Sequence, residues 1–346
     1  MTSGANKILI KIISLFVICV YLAVPFFTGN YITYVITLMS IMVIVTQGLN
    51  VMIGFAGLFS FGQPGFMAFG AYFSAILAAK IAWIPFPVLI IITGIASAGL
   101  GIVIGFPCLR LSGFYLAMAT FGFSAALFVL INDFSPLTGG NEGMSVPAPV
   151  FGVLRLGSAA AVFYIVAITA LLIQLGVRNI WKTKTGRAWN AIRDDEIAAS
   201  SMGINIQNEK LKVFALGAFL AGVAGVFYAY LIRYLQADFF SIMGLSLFLI
   251  LVAGGIGTIY GPIFGSIFIT LIPQIFGGVF SKQMNLVFGI ILVLFILLAP
   301  GGFYGIWYRI TGKAKSAFNL RETITRRFFS GVKKNITDTS KAGKSL

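Results

Sequence analysis

From Ile12 to Ala299 the chain is a succession of long apolar runs, broken by one long polar stretch, Trp181 to Lys212. That alternation leaves few folds open. About 20 consecutive apolar residues are enough to cross a bilayer as a helix. Lipid offers no partner for unpaired backbone groups, so the crossing form is helical. The polar stretch cannot lie among the spans. It holds four of the nine acidic residues, Asp194, Asp195, Glu196 and Glu209, and a charge at the centre of a spanning helix costs roughly 2.5–3.5 kcal/mol. Trp181 to Lys212 is therefore expected as a water-exposed loop between two spans. From Ala188 its pattern is helical, with Ala188, Ile192, Ala199 and Met202 near one face and Arg193, Asp194 and Glu196 elsewhere. Gly203 suits the residue just past a helix end, and Asn205 or Asn208 suits the cap of the next helix. A short amphipathic helix lying on one membrane face is a docking element for a soluble partner.

Composition fixes the class. Hydrophobic residues make up 59% of the chain and charged residues 10%, against about 25% charged in a soluble domain. The reading is an all-α polytopic membrane protein of about ten spans. The first is expected at Ile12 to Phe27, behind Lys7 and Lys11; no small-residue cleavage site follows it, so it reads as an uncleaved span. The others are expected at Tyr31–Val51, Phe66–Ala82, Pro87–Phe106, Gly113–Ile131, Ser158–Leu175, Val213–Ile232, Met243–Gly255, Pro262–Gly278 and Leu286–Ala299. Residues 1–308 then form the membrane domain, containing the loop 181–212. Residues 309–346 form a basic tail.

Ten spans put both termini on one side. Twenty Lys and Arg fall on that side, and four (Lys80, Arg155, Arg233, Lys282) on the other. This bias makes the termini and the central loop cytoplasmic. The net charge of +15 brackets the spans, and so points to membrane orientation rather than to nucleic acid.

The residue inventory narrows the chemistry. The chain has no histidine, the commonest metal ligand and general base. Acids outside the cytoplasmic side are few: Asp133, Glu142 and Asp238. An enzyme would need converging nucleophiles, acids or ligands, and neither a catalytic centre, a metal nor a cofactor is expected. Cys19 and Cys108 read as packing residues. Proton and ion paths are usually marked by ionisable residues at membrane depth, so an ion-coupled secondary transporter is the weaker alternative. The tail sequence Asp338-Thr-Ser-Lys-Ala-Gly-Lys-Ser345 resembles half a phosphate-binding loop, but Asp338 stands where the first glycine belongs. An energy source is therefore expected in another chain.

Two glycine clusters break the apolar pattern. Gly54, Gly57, Gly62, Gly65 and Gly70 follow the second span; Gly254, Gly255, Gly257, Gly261 and Gly265 follow the eighth. Paired glycine-interrupted segments point to a translocation path. Gln47, Asn50, Ser60 and Gln63 are the polar groups beside the first cluster, and an unwound segment there could offer backbone groups to a zwitterion. Two plainer readings stay open: the glycines mark tight turns, and the amides tie neighbouring helices together.

The loop motif Gly186-Arg-Ala-x-x-Ala-Ile-Arg-Asp-Asp-Glu-Ile-Ala-Ala-x-x-x-Gly203-Ile resembles the coupling-loop signature of permease subunits in ATP-binding-cassette (ABC) importers, in the variant of the branched-chain amino-acid permeases of the LivM/LivH type. Further matching pieces are Gln47-Gly-Leu-Asn50, Gly54-x-Ala-Gly-Leu-x-Ser-x-Gly-Gln63, Gly70-Ala-Tyr72, Thr138-Gly-Gly140, Leu220-Ala-Gly-Val-Ala-Gly225, Gly254-Gly-Ile-Gly-Thr258 and Gly261-Pro262. Length and the long loop before the sixth span look more like the LivM member. The resemblance implies the helix arrangement of vitamin-B12-type importers, a related permease as partner, two cytoplasmic ATPases and an extracytoplasmic binding protein, in a bacterial plasma membrane.

It also implies a coupling role for Gly186, Arg187, Arg193, Asp194, Asp195, Glu196, Ala198, Ala199 and Gly203, with the three acids as exposed ionic contacts to an ATPase. A solvated loop face is the plain alternative for those acids. The implied substrate is a hydrophobic, branched-chain amino acid; permeases for urea, short amides and nucleosides resemble the same family. Pro64 departs from the pattern, which carries a small residue there, and is expected to alter the local break. The tail exceeds the resemblance. Its ten Lys and Arg suit anionic lipid, although a disordered solubilising tail is the favoured reading.

Overall fold

The computed structural model describes residues 19, 21–27, 29–81, 83–147, 150–151, 154–155, 159–280 and 302. Residues 21–27 of the expected first span are helical. The expected tenth span and the basic tail lie outside the described residues. In chain order the principal helices are α1 (Asn30–Leu49), α2 (Gln63–Lys80), α3 (Phe86–Cys108), α4 (Phe114–Asp133), α5 (Ala159–Lys182), α6 (Lys184–Asp194), α7 (Glu196–Ser201), α8 (Ile206–Ile232), α9 (Ala237–Gly254) and α10 (Gly261–Phe280). Six stretches among the described residues are long and apolar enough to cross a membrane: Asn30–Phe55, Phe86–Cys108, Phe114–Asp133, Ala160–Lys182, Ile206–Ile232 and Ala237–Gly254.

Helix α8 is the centre of the bundle and packs against α1, α2 and α3. Small residues make that possible. A Cβ added at Gly225 would lie 2.1 Å from Met67 O, and one added at Gly222 would lie 2.1 Å from Ser97 Oγ. Across the same contact, a Cβ at Gly70 would lie 2.4 Å from Gly222 O. The backbones of α2 and α8 meet directly here, the arrangement that holds helices together where lipid gives no hydrophobic reward. Large side chains close the ends: Phe86 lies edge-on to Tyr230, with ring centroids 4.8 Å apart.

Three helices outrun the spans expected from hydropathy. Helix α5 continues through Arg178 to Lys182, α8 begins at Ile206 rather than Val213, and α9 begins at Ala237 rather than Met243. The polar turns of α5 and α8 lead into and out of the loop.

The end of α1 is irregular. Residues Asn50–Phe55 form a π-helical turn, and Leu58 N donates to Met52 O at 2.9 Å. Gly57 then reverses the chain with φ +71°, a conformation that favours glycine. Pro64 falls in the first turn of α2, where its missing N–H removes no helical bond. The expected disturbance of the break is thus absorbed by a position that tolerates proline.

The far end of the bundle is tied by backbone pairing. The two-residue strands are β1 (Met144–Ser145), β2 (Val150–Phe151), β3 (Leu154–Arg155) and β4 (Tyr234–Leu235). Antiparallel pairing joins β1 to β4, with Met144 opposite Leu235, and β2 to β3. Strand β4 follows α8 directly. The 27 residues of α8 therefore hold this end about 40 Å from the polar loop, at 1.5 Å per residue.

Candidate functional site: the polar loop and the glycine junction

The polar loop is a built element. Thr183 caps α6 by accepting from Gly186 N at 3.4 Å. Gly186 is buried, and a Cβ there would lie 2.5 Å from Ile180 O, so only glycine lets α6 fold back on the end of α5. Arg187 Nη1 donates to Lys182 O at 3.1 Å, covering a free carbonyl at that helix end. Trp189 is buried and donates through Nε1 to Glu209 Oε2 at 2.9 Å. Glu209 also pairs with Lys212.

The single helix expected from Ala188 is two helices. Asp195 breaks it in extended conformation (φ −162°, ψ 114°), and its Oδ1 accepts from Ile197 N and Ala198 N at 2.8 and 3.0 Å. An aspartate is a strong N-cap, and here capping outweighs helix continuation. The break shifts the register. Ile192 and Ala199 are buried as expected, but Met202 is 83% exposed. Gly203 (φ +79°) closes α7 in a Schellman motif: its N–H reaches Ser200 O at 2.9 Å, and Ile204 N reaches Ala199 O at 3.2 Å. Asn205, rather than Asn208, caps α8, accepting from Asn208 N at 3.1 Å.

The three acids of the motif divide their roles. Asp195 caps, and Glu196 pairs with Lys210 at 2.6 Å. Asp194 is exposed and forms no ion pair among the described residues. The outward surface of the loop is Asp194, Ile197, Ala198, Ser201 and Met202, with Ile197 81% exposed. Two large apolar side chains are thus exposed on an otherwise polar element. Arg193 points the other way, and its Nη1 donates to Gly54 O at the end of α1.

The Glu196–Lys210 pair has unequal partners, 52% and 8% exposed. Glu196→Ala strands a buried ammonium, whereas Lys210→Met frees a carboxylate already half in water. Thermal unfolding of the detergent-solubilised chain should show the first losing about 1–3 kcal/mol and the second little. Equal losses would mean that pairing does not set the position of α7.

The second assembly brings together both glycine clusters. Asn50 is fully buried; its Oδ1 accepts from Gly257 N and its Nδ2 donates to Thr258 O, each at 2.8 Å. A Cβ at Gly54 would lie 2.5 Å from Gly257 N, so the two segments touch through backbone. Gly254 meets Gly261 in the same way, its added Cβ 2.0 Å from Gly261 O, and Gly255 (φ +109°) turns the chain between them. Gln47 Nε2 and Gln174 Nε2 both donate to Ile259 O, at 3.4 and 2.8 Å. Their Oε1 atoms are buried without a partner among the described residues.

Ser60, Gly62, Gln63 and Gly65 turn elsewhere. Ser60 accepts from Gly62 N at 3.2 Å, and Gln63 Nε2 donates to Met52 Sδ at 3.1 Å. A Cβ at Gly65 would press on Ser124, 2.8 Å from its Oγ. Phe61 binds α4 on both sides of its backbone, N–H to Thr120 Oγ1 and O from Ser124 Oγ, at 3.0 and 3.2 Å. Gln47, Asn50, Ser60 and Gln63 are all buried within the chain.

The sequence reading did not single out Gln174, Trp189 or Lys210. Gln174 had a signal, an amide inside an apolar run; the Lys210–Glu196 pairing had none, because it depends on the break at Asp195.

Comparison with known proteins places this architecture. A family model described as "Branched-chain amino acid transport system / permease component" matches residues 31–298. The chain belongs to this permease family. It is thus a multi-pass membrane transport protein and not an enzyme. It is 30% identical over 320 residues to the high-affinity branched-chain amino acid transport system permease protein LivM of Salmonella typhimurium strain LT2, covering 84% of this chain and 74% of the relative. Identity to LivM of Escherichia coli strain K12 is 31% over 306 residues, covering 80% and 71%. LivH of the same Salmonella strain, a permease protein of the same kind of system, is 26% identical over 189 residues, 51% of this chain and 60% of the relative. No solved structure matches.

Proposed function

We propose that this chain is the membrane-spanning permease subunit of an ABC importer, passing branched-chain, hydrophobic amino acids delivered by an extracytoplasmic binding protein. Its partners are a related permease and two cytoplasmic ATPases, which supply the energy. The protein sits in a bacterial plasma membrane with both termini and the 181–212 loop in the cytoplasm, an orientation supported by the 20-to-4 distribution of Lys and Arg. Residues 1–308 act as the permease domain and 309–346 as a basic cytoplasmic tail.

The observation that carries the reading is the loop α6–α7. It is clamped to α8 by Trp189–Glu209 and Lys210–Glu196, yet presents Ile197 and Met202 to water. A rigid polar element with exposed apolar anchors is built to seat in a partner's groove. The glycine junction, with Gln47 and Asn50 beside it, is the proposed inner end of the path.

The test is a pull-down of the detergent-solubilised protein from its native membrane, with mass spectrometry of what accompanies it. Two ATPases and a related permease are expected, and Ile197→Asp should lower ATPase recovery roughly tenfold, the effect of losing one anchor of about 1–2 kcal/mol. A wild-type preparation reproducibly free of ATPase would sink the reading.

A further inference from the structure

We propose that Arg193 is the transmission residue of the loop: it acts inward on the carbonyl end of α1, and through it on the α9–α10 turn, rather than outward on a partner. The proposal rests on the reading of the loop as the ATPase dock. Within the motif Arg193 stands apart. Asp194 to Ala198 are exposed, whereas Arg193 is half-buried and its guanidinium donates to Gly54 O.

That carbonyl needs a donor. It lies at the C-terminal end of the π turn, and Leu58 N, the amide four residues on, is taken by Met52 O. The last carbonyls of a helix lack partners within it, and a cation there also meets the negative end of the helix dipole. Arg193 is therefore a cap supplied by a different part of the chain. Its side chain also lies along Gly57, where an added Cβ would come within 3.0 Å of Arg193 Cγ. Beside it, Phe55 packs on Trp181 at the end of α5, with centroids 4.1 Å apart.

From Gly54 the contact continues without flexible side chains. The Gly54 backbone abuts Gly257, and Asn50, in the same π turn, holds Gly257 N and Thr258 O. A shift of α6 that carries Arg193 thus moves the π turn, and the π turn moves the α9–α10 connection.

The test uses the whole complex with its ATPases, reconstituted in liposomes, and compares wild type with Arg193→Ala and Arg193→Lys. Arg193→Ala is expected to co-purify with the ATPases while the ATP consumed per amino acid imported rises roughly tenfold, within the range of coupling between distant sites. Amide exchange in the peptide 254–261 should quicken, because its protection depends on the junction. Arg193→Lys, which keeps a cation at the carbonyl, should bring both readouts most of the way back.

A wild-type ratio and unchanged exchange in Arg193→Ala would overturn the proposal. So would loss of the ATPases from that variant, which would make Arg193 part of the dock, and so would a lysine variant that rescues nothing. Absence of ATPase from the wild type would defeat the dock reading instead, and exchange in 254–261 would still decide the link.

Discussion

Asn50→Ala is expected to give a chain whose apparent Tm falls by several degrees and whose 254–261 segment exchanges its amides much faster than wild type. The reason is local. Asn50 supplies both halves of a buried amide clamp, accepting one bond from Gly257 N and donating one to Thr258 O. Each stranded partner costs about 1–3 kcal/mol in a buried setting, and neither lies in a helix that could re-bond it. Asn50→Asp makes the comparison sharper. A carboxylate still accepts from Gly257 N but cannot donate to Thr258 O, and it places a charge in a fully buried position. Aspartate should therefore be at least as damaging as alanine despite its matching shape. If Asn50→Asp is tolerated while Asn50→Ala is not, volume rather than the clamp is what the position needs.

The second large effect is expected at Gly225. In a helix interior, Gly→Ala ordinarily gains up to about 1 kcal/mol. At Gly225 the sign reverses, because the new Cβ would sit 2.1 Å from Met67 O and 2.8 Å from Ala71 N. Both are backbone atoms of α2, so relief requires moving one helix away from the other. Gly225→Ala should sharply reduce the yield of monodisperse protein on size exclusion in detergent, and Gly225→Val should abolish it. Gly99 is the control, since a Cβ there meets nothing within 4 Å. Gly99→Ala should match wild type or exceed it slightly. Equal behaviour at the two positions would contradict the close approach of α2 and α8.

The spans were legible because apolar run length reports the bilayer directly: the expected Tyr31–Val51, Pro87–Phe106 and Gly113–Ile131 match α1, α3 and α4 to within a few residues. Hydropathy reads the solvent, however, and not the helix. It therefore missed the polar first turns of α8 at Glu209, Lys210 and Lys212 and the last turns of α5. Within the loop, Gly203 was readable, and the next cap was narrowed to Asn205 or Asn208, because caps are local chemistry. Asp195 was readable only as a charge; that it would break the helix depends on what α7 packs against. The two glycine clusters were visible as a weak repeat, but a repeat says nothing of contact. Their meeting across Asn50 is a tertiary fact, 207 residues apart in the chain.

The seam between α2 and α8 has a mechanical consequence. Side chains at an interface can change rotamer and so let two helices roll over one another. A seam of bare peptide groups, as at Gly70 against Gly222 and Gly225 against Met67, has no such gears to slip. The two helices are confined to one mutual register and should travel as a single block. Shape change in this molecule is then left to the joints at the block's edges, the turns that carry Gly57 and Gly257.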